Sequence, residues 1–186
     1  MKRIQLVIAV ETDDLSQTDD PYYSWVLKAF FPSYVVSGSV SDLVIVYKFV
    51  HMGGFGKYKS TKIKNEIRSY LNSFPKGDTY VIYCLDYDNK GNDTKNRLEE
   101  IKSYCKNQGY YFVLAYPEIE HVLANARDGQ SKVEAARRFR KHYPSNDSIS
   151  ESDIFVPLGK VGQRVGQTNF GNVIKEIIAL AKQKGK

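Results

Sequence analysis

Hydrophobic residues in this chain fall into two kinds of pattern that alternate along its length. The first kind is a short, nearly unbroken apolar run, rich in β-branched and aromatic residues, which is typical of a strand buried on both faces of a sheet. Four such runs are clear, at residues 4–10, 43–50, 79–85 and 110–115. The first and third runs pass directly into acidic residues.

The second kind of pattern is a longer segment in which apolar residues recur every three or four positions, as on one face of a helix. Such segments follow the first three runs, at about residues 21–31, 61–73 and 92–108. The first of them is apolar almost all round, so we expect it to be buried, and Asp19 or Asp20 can cap it. Strands that alternate with helices in this way predict an α/β fold with a mainly parallel sheet and helices on both faces.

The pattern is less regular in the last third of the chain. Helical spacing predicts a short helix at 117–126, a strongly basic helix at 131–142 and a final amphipathic helix that Thr168 or Asn169 caps. Residues 154–156 predict one more short strand.

Length and composition agree with one compact domain. The 186 residues are 42% hydrophobic and 26% charged, which argues against global disorder. We expect a core at 1–126 and, packed on it, a basic helical C-terminal extension at 127–186. No apolar run is long enough to span a bilayer, and acidic residues stand where a signal peptide would have its cleavage site. The two cysteines cannot form a disulfide framework, so we predict a reducing, cytoplasmic location.

Acidic residues stand at the ends of two predicted strands: Glu11 ends the first, and Asp86 and Asp88 follow the third. Ligands of open α/β sheets bind outside the carboxyl ends of the strands, so these carboxylates converge if the two strands are neighbours. Converging carboxylates repel one another and normally hold a hard cation such as Mg²⁺ or Mn²⁺. The alternative for each acid is that it simply begins a solvated loop.

Glu11, taken with the run Asp86-x-Asp88-x-x-Gly91, resembles the Toprim domain, the metal-binding catalytic domain of topoisomerases, primases, recombination proteins and OLD-type nucleases. The resemblance covers roughly residues 4–125 and extends to two segments that are similar to RloB-like members of the family. Those segments are Thr18-Asp19-Asp20-Pro21-Tyr22-Tyr23 and Tyr116-Pro117-Glu118-Ile119-Glu120-His121-Val122-Leu123.

The resemblance implies a Toprim-like fold and phosphodiester chemistry that depends on Mg²⁺ or Mn²⁺. Asp86, Asp88 and Glu120 would hold the metal, while Glu11 would be a metal ligand or the general acid or base. The metal would neutralise the charge developing on a phosphate oxygen and orient the nucleophile. Lys160 is a further catalytic candidate, because OLD-type nucleases are similar in having a lysine after the acidic motifs that can contact phosphate. A topoisomerase needs a tyrosine from another domain, for which this chain has no room, so hydrolysis is favoured.

Basic residues bear on the substrate. Lys and Arg number 27 against 21 Asp and Glu, a net charge of +6. A phosphate polymer needs counter-charge beside an acidic site, and the residues that could supply it are Lys57, Arg137, Arg138, Arg140 and Lys141. The alternative for these segments is a solvated helix face. The glycine-rich turn at 53–56 lacks the spacing of a Walker loop but lies at the same edge as the acids.

These observations predict a small stand-alone nuclease that hydrolyses DNA or RNA, and the resemblance alone suggests phage defence or a mobile element as its setting. The alternative is a non-catalytic nucleic-acid-binding protein, or a subunit that retains the fold and works with a partner such as an ATPase. A phosphotransfer receiver also alternates strands and helices around acid pairs, but it needs a phospho-acceptor Asp at its third strand and later Thr and Lys at strand ends, and this pattern is not convincing here. No membrane partner is expected.

Overall fold

The computed structural model describes residues 2–15, 18–35, 42–75, 77–87, 92–123, 131–141 and 149–184. In these ranges the strands are β1 (Lys2–Val10), β2 (Leu43–His51), β3 (Asp78–Asp86), β4 (Tyr111–Tyr116) and β5 (Gln167–Thr168). The helices are α1 (Asp20–Phe30), α2 (Pro32–Val35), α3 (Thr61–Ser73), α4 (Asn92–Gln108), α5 (Ile119–Leu123), α6 (Lys132–Lys141), α7 (Glu151–Ile154) and α8 (Phe170–Gln183). Short 3₁₀ turns are present at Phe55–Lys57 and Leu158–Lys160.

Within the described residues, five strands form one sheet in the order β2-β1-β3-β4-β5. β1 pairs in parallel with both β2 and β3, and β3 pairs in parallel with β4. β5 runs antiparallel to β4. The predicted α/β fold with a mainly parallel sheet is therefore confirmed, with one antiparallel pair. The order of the strands reverses between β1 and β3, and it is at such a reversal that ligands of open sheets bind.

Helices cover both faces of the sheet, as predicted. We call the side on which α1, α5 and α8 pack the α1 face, and the side on which α3 and α4 pack the α4 face. Ile82 and Cys84 of β3 enter the core of the α1 face, whereas Tyr83 and Leu85 enter that of the α4 face. This alternation follows from the two-residue period of a strand. It decides which face of the sheet each side chain at the end of β3 lies on.

The predicted buried character of α1 is confirmed, because its aromatic and aliphatic side chains lie in the core of the α1 face. Tyr22 and Val26 have no exposed surface, and Trp25 is 2% exposed. The ring of Phe139, on α6, packs against Tyr22 and Trp25 with centroids 4.7 and 6.0 Å apart. These contacts fix α6 against α1.

The predicted strand at 154–156 is wrong. Glu151–Ile154 is the short helix α7, whose first turn begins where the Ser150 hydroxyl accepts a hydrogen bond from the Ser152 amide. The apolar run arises because Ile154 and Val156 are buried. The strand of this region is β5, only two residues long and therefore invisible to a periodicity argument. The other predicted elements are present, with ends within two residues of the predicted ones wherever those ends are described.

The buried side chain of Asn169 has a structural role that differs from the predicted cap. It precedes α8 but makes no side-chain capping hydrogen bond, whereas the hydroxyl of Thr168, the other predicted cap, accepts one from the Phe170 N–H (3.3 Å). Instead the amide oxygen of Asn169 accepts a hydrogen bond from the Leu114 N–H (2.8 Å) and its amide nitrogen donates to the Phe112 carbonyl (3.0 Å). Asn169 thus takes the place of a neighbouring strand along β4 where β5 does not reach.

The chain after residue 130 helps to cover the sheet. α6 packs on α1 and α5, and α8 packs on β3 and β4. Ala136 and Ile174 belong to the same buried core as Ile8 of β1. Among the described helices, none has the length and apolar character that crossing a membrane requires.

Candidate functional site

A cavity of about 330 Å³ opens where the neighbouring strands β1 and β3 end. We call it the carboxylate cavity, since four of its lining residues are acidic. Residues from the end of β1, the loop before α1, the end of β3 and the start of α6 line it, among them Glu11, Asp13, Thr18, Asp19, Asp86 and Lys132. The predicted convergence of Glu11 and Asp86 at one edge of the sheet is therefore observed.

The glycine loop after β2 forms another wall of this cavity. The amide of Gly53 donates to the carbonyl of Thr12 (3.0 Å), and that of Gly54 donates to the carbonyl of Glu11 (2.7 Å). Both glycines have positive φ, 67° and 106°, which residues with a Cβ rarely adopt. The loop therefore holds the backbone of Glu11 in place. Its predicted position at the same edge as the acids is confirmed.

Lys132, the first residue of α6, extends into the carboxylates at the end of β3. Its Nζ lies 3.1 Å from Oδ2 of Asp86, 3.3 Å from Oε1 of Glu118 and 3.8 Å from Oε1 of Glu120. Asp86 also accepts a hydrogen bond from the Ile119 amide (3.1 Å). The side chain of Lys132 is 42% exposed, while that of Asp86 is 8% exposed. Lys132 therefore links a buried carboxylate to the solvent side of the cavity.

Burial makes negative charge unfavourable in this cluster. Only 1% of Glu120 is exposed, and its burial, followed by the nearby charge of Asp86, raises its pKa to about 7. Burial also raises the pKa of Asp86, although Lys132 and the Ile119 amide oppose the rise. For Lys132, burial disfavours the charged form, but the carboxylates of Asp86, Glu120 and Glu118 outweigh it and raise the pKa. A bound cation would relieve this accumulated negative charge.

Asp19 also lines this cavity, although it was not among the predicted site residues. Its side chain makes no capping hydrogen bond, and the residue is 3% exposed. Burial, then the charges of Asp86 and Glu120, raises its pKa well above the ordinary value. Among the described residues, no donor lies within hydrogen-bond distance of Oδ1 of Asp19 or of either carboxylate oxygen of Glu120, whose contact with Lys132 at 3.8 Å is an ion pair.

A signal for Asp19 was present in the sequence but ambiguous. Asp19 and Asp20 form an acid doublet before the helix, and either could cap it. In the structure Asp20 turns away and lies 2.9 Å from Nε2 of His51. Asp19 is left facing the cavity. Lys132 had no distinguishing signal, because it is one of several basic residues in a segment predicted as a basic helix.

The remaining predicted site residues lie at several places. Lys57 is exposed beside the glycine loop, where its Nζ comes within 3.4 Å of the position that a Cβ on Gly53 would occupy. Arg137 and Arg138 are exposed on α6, beyond Lys132. Lys160 is exposed in its 3₁₀ turn and does not line the carboxylate cavity. Asp88 and the side chains of Arg140 and Lys141 lie outside the described residues.

The oxygen-only donor set suits a hard cation. Among the described residues no three His, Cys, Asp or Glu side chains are grouped so that they could hold one metal ion. Mg²⁺ needs fewer, since one or two carboxylates often hold it while water and substrate phosphate complete its shell. Asp86 and Glu11 line the same cavity, and the oxygens of Asp19 and Glu120 that lack a hydrogen-bond donor in the described part lie beside them. Glu11 and Asp86 are therefore the two predicted ligands that could hold such a cation from within the described residues.

Comparison of the chain with protein-family models, with curated proteins and with solved structures gave no match. The Toprim resemblance of Glu11 and the Asp86 motif therefore stays a prediction from the sequence. An open α/β sheet serves many unrelated functions, so the conclusion about function has to come from the site itself.

Proposed function

We propose that this protein is a Mg²⁺-dependent phosphodiesterase that hydrolyses nucleic acid at the carboxylate cavity. The observation that carries the proposal is the group of three nearly buried carboxylates, Asp19, Asp86 and Glu120, at the ligand-binding edge of the sheet. Burying charge without full compensation is costly, and folded proteins tolerate it mainly at functional sites. A divalent cation held by one or two carboxylates at the cavity would compensate part of this charge.

The residues divide into distinct roles. Asp86 and Glu11 would hold the cation, together with Asp88 of the same motif. When bound, Mg²⁺ supplies charge stabilisation to a phosphate oxygen and lowers the pKa of bound water. Glu120 does not line the cavity, and a carboxyl group with a pKa of about 7 can hold a proton at neutral pH. The protonation state of Glu120 therefore changes the total charge of the carboxylates around Asp86 near neutral pH.

Exposed basic groups near the cavity support nucleic acid as the substrate. Lys57 lies beside the glycine loop, and Arg137 and Arg138 lie on the helix whose first residue enters the cavity. A phosphate backbone that reaches the acidic site would need such neighbouring positive charge. The net charge of +6 agrees with this substrate class.

A specific observation favours a second candidate, a nucleic-acid-binding protein that keeps the fold and needs no metal. The ammonium group of Lys132 contacts three carboxylates and so compensates part of their charge from within. If Lys132 stays there permanently, no divalent cation is needed. The two candidates differ in one measurable property, the binding of Mg²⁺ or Mn²⁺.

Thermal unfolding in EDTA and in millimolar Mn²⁺ tests the metal site without any substrate. A cation that binds only the folded chain at about 100 times its dissociation constant adds about 2.7 kcal/mol, or a melting shift of about 5–10 °C for a chain of this size. Asp86→Asn should lose most of this shift. Asp78→Asn, at the opposite end of β3, is the matched control and should keep it.

Incubation with labelled DNA and RNA, with Mg²⁺, Mn²⁺ or EDTA, then tests the reaction. Cleavage that needs the metal and disappears in Asp86→Asn supports the phosphodiesterase. Nucleic-acid binding with neither a metal-induced melting shift nor cleavage contradicts it and supports the second candidate.

A further inference from the structure

A second cavity, of about 430 Å³, lies on the α4 face of the sheet, and we call it the α4 cavity. Its floor and walls include Phe112 and Leu114 of β4, Leu98 of α4, Leu158 and Tyr87. Its volume is within the usual range of small-molecule sites. We infer that the α4 cavity binds one nucleotide unit, with the base inside and the phosphate at the rim, either as a free mononucleotide or within a strand.

The interior suits a flat aromatic base. Phe112 is 8% exposed and Leu98 5% exposed, so both present buried apolar surface to the cavity. Tyr87 is held from behind, since its ring packs against that of Tyr116 with centroids 5.5 Å apart. The backbone at Gly162 lies close behind the Tyr87 ring. A Cβ at position 162 would come within 3.0 Å of that ring, so the absence of a side chain allows this approach. A rigid aromatic wall beside an apolar floor is a setting in which bases stack, whatever their sequence.

The rim supplies charge of the opposite sign to a phosphate. Lys95, Leu98, Glu99 and Lys102 line the cavity from α4, and this spacing places them on one face of the helix. Nζ of Lys102 lies 3.1 Å from Oε1 of Glu99. Among the described residues, Lys95 has no carboxylate within ion-pair distance. An uncharged apolar ligand would leave Lys95 without a counter-charge, and an anion without a ring would leave the apolar floor uncovered.

The two cavities flank the same strand end. Asp86 lines the carboxylate cavity, and the next residue, Tyr87, lines the α4 cavity. The Tyr87 amide donates to the carbonyl of Ala115 (2.7 Å), which continues the sheet by one residue. A nucleic-acid strand that crosses this edge could therefore place a nucleotide in one cavity and a nearby phosphodiester in the other. This last step rests on the proposed function, whereas nucleotide binding to the α4 cavity does not.

Equilibrium binding in EDTA tests the inference without catalysis or metal. The probe is 2-aminopurine riboside 5′-monophosphate, whose fluorescence falls when its base stacks, titrated with the full chain. Gly159 lines the cavity, has an ordinary φ, and has open space around the position of a Cβ. Gly159→Phe therefore adds a bulky ring at the lining of the cavity without a backbone clash, and it should weaken binding about tenfold or more.

Gly56→Phe is the matched control, because Gly56 also has an ordinary φ and open space but lines neither cavity. Both variants should melt like wild type, and only Gly159→Phe should lose affinity. Lys95→Gln combined with Lys102→Gln should weaken binding of the monophosphate roughly three- to tenfold and leave that of the nucleoside unchanged. This difference assigns the phosphate to the rim.

An oligonucleotide with a single 2-aminopurine separates the two sources of the nucleotide. Affinity for the free monophosphate that falls in Gly159→Phe indicates a mononucleotide site. If Gly159→Phe weakens binding of the oligonucleotide but not of the free monophosphate, the cavity is a subsite for a strand. The inference is overturned if neither probe binds, if Gly159→Phe changes neither affinity, or if decanoate displaces the probe while AMP does not. If the nucleotide binds but neither metal binding nor cleavage is found, the proposed function is contradicted and the inference about the α4 cavity stands.

Discussion

The carboxylate cavity and the α4 cavity adjoin the same end of β3, but they place charge in opposite ways. In the first, the charged groups are buried: Asp86 and Glu120 lie behind the surface and contact the ammonium of Lys132. In the second, the interior is apolar and the charged groups of Lys95 and Lys102 lie at an exposed rim.

The difference shows how one strand end can border two different environments. Because neighbouring residues of a strand point to opposite faces, Asp86 and Tyr87 reach different environments although they are adjacent in sequence. Charge that is removed from water interacts strongly and shifts the pKa values of its neighbours. Charge at a solvated rim is screened and is worth little in stability, although it still attracts anions. Substitutions in the two cavities should therefore have different consequences.

The largest expected effect is the loss of cleavage in the carboxylate cavity. Asp86→Asn and Glu11→Gln should each lower Mg²⁺-dependent cleavage about 10²- to 10³-fold, because a metal ligand contributes several kcal/mol of charge stabilisation. Cleavage of end-labelled oligonucleotides measures this. Affinity of the α4 cavity for the 2-aminopurine nucleotide in EDTA should not change. Retained cleavage in either variant would remove that residue from the catalytic role.

A pH series should show the second effect, which comes from the burial of Glu120. The folded chain holds a proton on Glu120 up to a pKa of about 7, against an ordinary value of 4.5. Between these pH values the folded state therefore binds more protons than the unfolded state does. The contribution of Glu120 to the free energy of unfolding is fully present below pH 4.5 and is lost as the pH rises through 7. The loss amounts to about 3 kcal/mol at most, at about 1.36 kcal/mol for each pKa unit.

Urea unfolding of wild type and Glu120→Gln in EDTA, at pH values from 4 to 8 in steps of about 0.5, measures this loss. Asp19 and Asp86 have raised pKa values too, so they contribute with the same sign. The Gln variant should lose less stability across this range than wild type does. Glu99→Gln, an exposed position on α4, is the control and should follow wild type. Parallel curves for wild type and Glu120→Gln would show that Glu120 has an ordinary pKa.

Lys132 and Lys95 provide the most direct comparison of the two cavities. Lys132→Met should leave the carboxylates of Asp86 and Glu120 without their counter-ion. Breaking a fully buried pair costs about 3–5 kcal/mol, but Lys132 is 42% exposed, so solvent screening reduces the expected loss to about 2 kcal/mol. Lys95→Met at the rim should change stability by less than about 0.5 kcal/mol.

Chemical unfolding of both variants in EDTA measures that difference. Millimolar Mn²⁺ should restore part of the stability of Lys132→Met, since a bound cation can replace the ammonium group. Equal stability of the two variants would mean that the ion pairs of Lys132 contribute nothing and that the cluster is not strained by its charge.

The smallest expected effect concerns the exposed arginines of α6. Arg137→Gln with Arg138→Gln should weaken nucleic-acid binding and flatten the slope of log affinity against log salt by roughly 1–2 units, because fewer counterions are released. Binding titrations at several salt concentrations measure the slope. Lys64→Gln, at an exposed position on α3, is a control for the loss of positive charge alone. A slope that is the same in both variants and in wild type would show that these arginines do not contact phosphate.

Periodicity alone located the main elements, because buried strands and amphipathic helices leave clear patterns in a sequence. The apolar runs at 4–10 and 79–85 become β1 and β3, and their pairing brings Glu11 and Asp86 to one cavity. The acids converge only if β1 and β3 are neighbours, and the sheet, not the local sequence, decides that pairing. Short elements escaped detection by periodicity: β5 has two residues and α2 has four, too few for a period to show.

Residues with more than one local option could not be assigned from the sequence. Asp19 could have capped α1, and Asn169 could have capped α8, since both residue types favour that position. Burial decided otherwise, because Asp19 faces Asp86 and Glu120, and Asn169 satisfies backbone groups of β4. Lys132 meets its carboxylates only because Phe139 and its neighbours dock α6 against α1.

The sequence by itself determined the alternation of strands and helices, the acids at the strand ends and the positive net charge. These are local or additive properties, so neighbouring residues and composition are enough to establish them. The tertiary structure decided which acids share a cavity, which lysine compensates them and that a second cavity adjoins Tyr87. The physical reason is that the separation and burial of charged groups far apart in sequence arise only when the sheet and helices pack, and those quantities set the pKa values and the contacts.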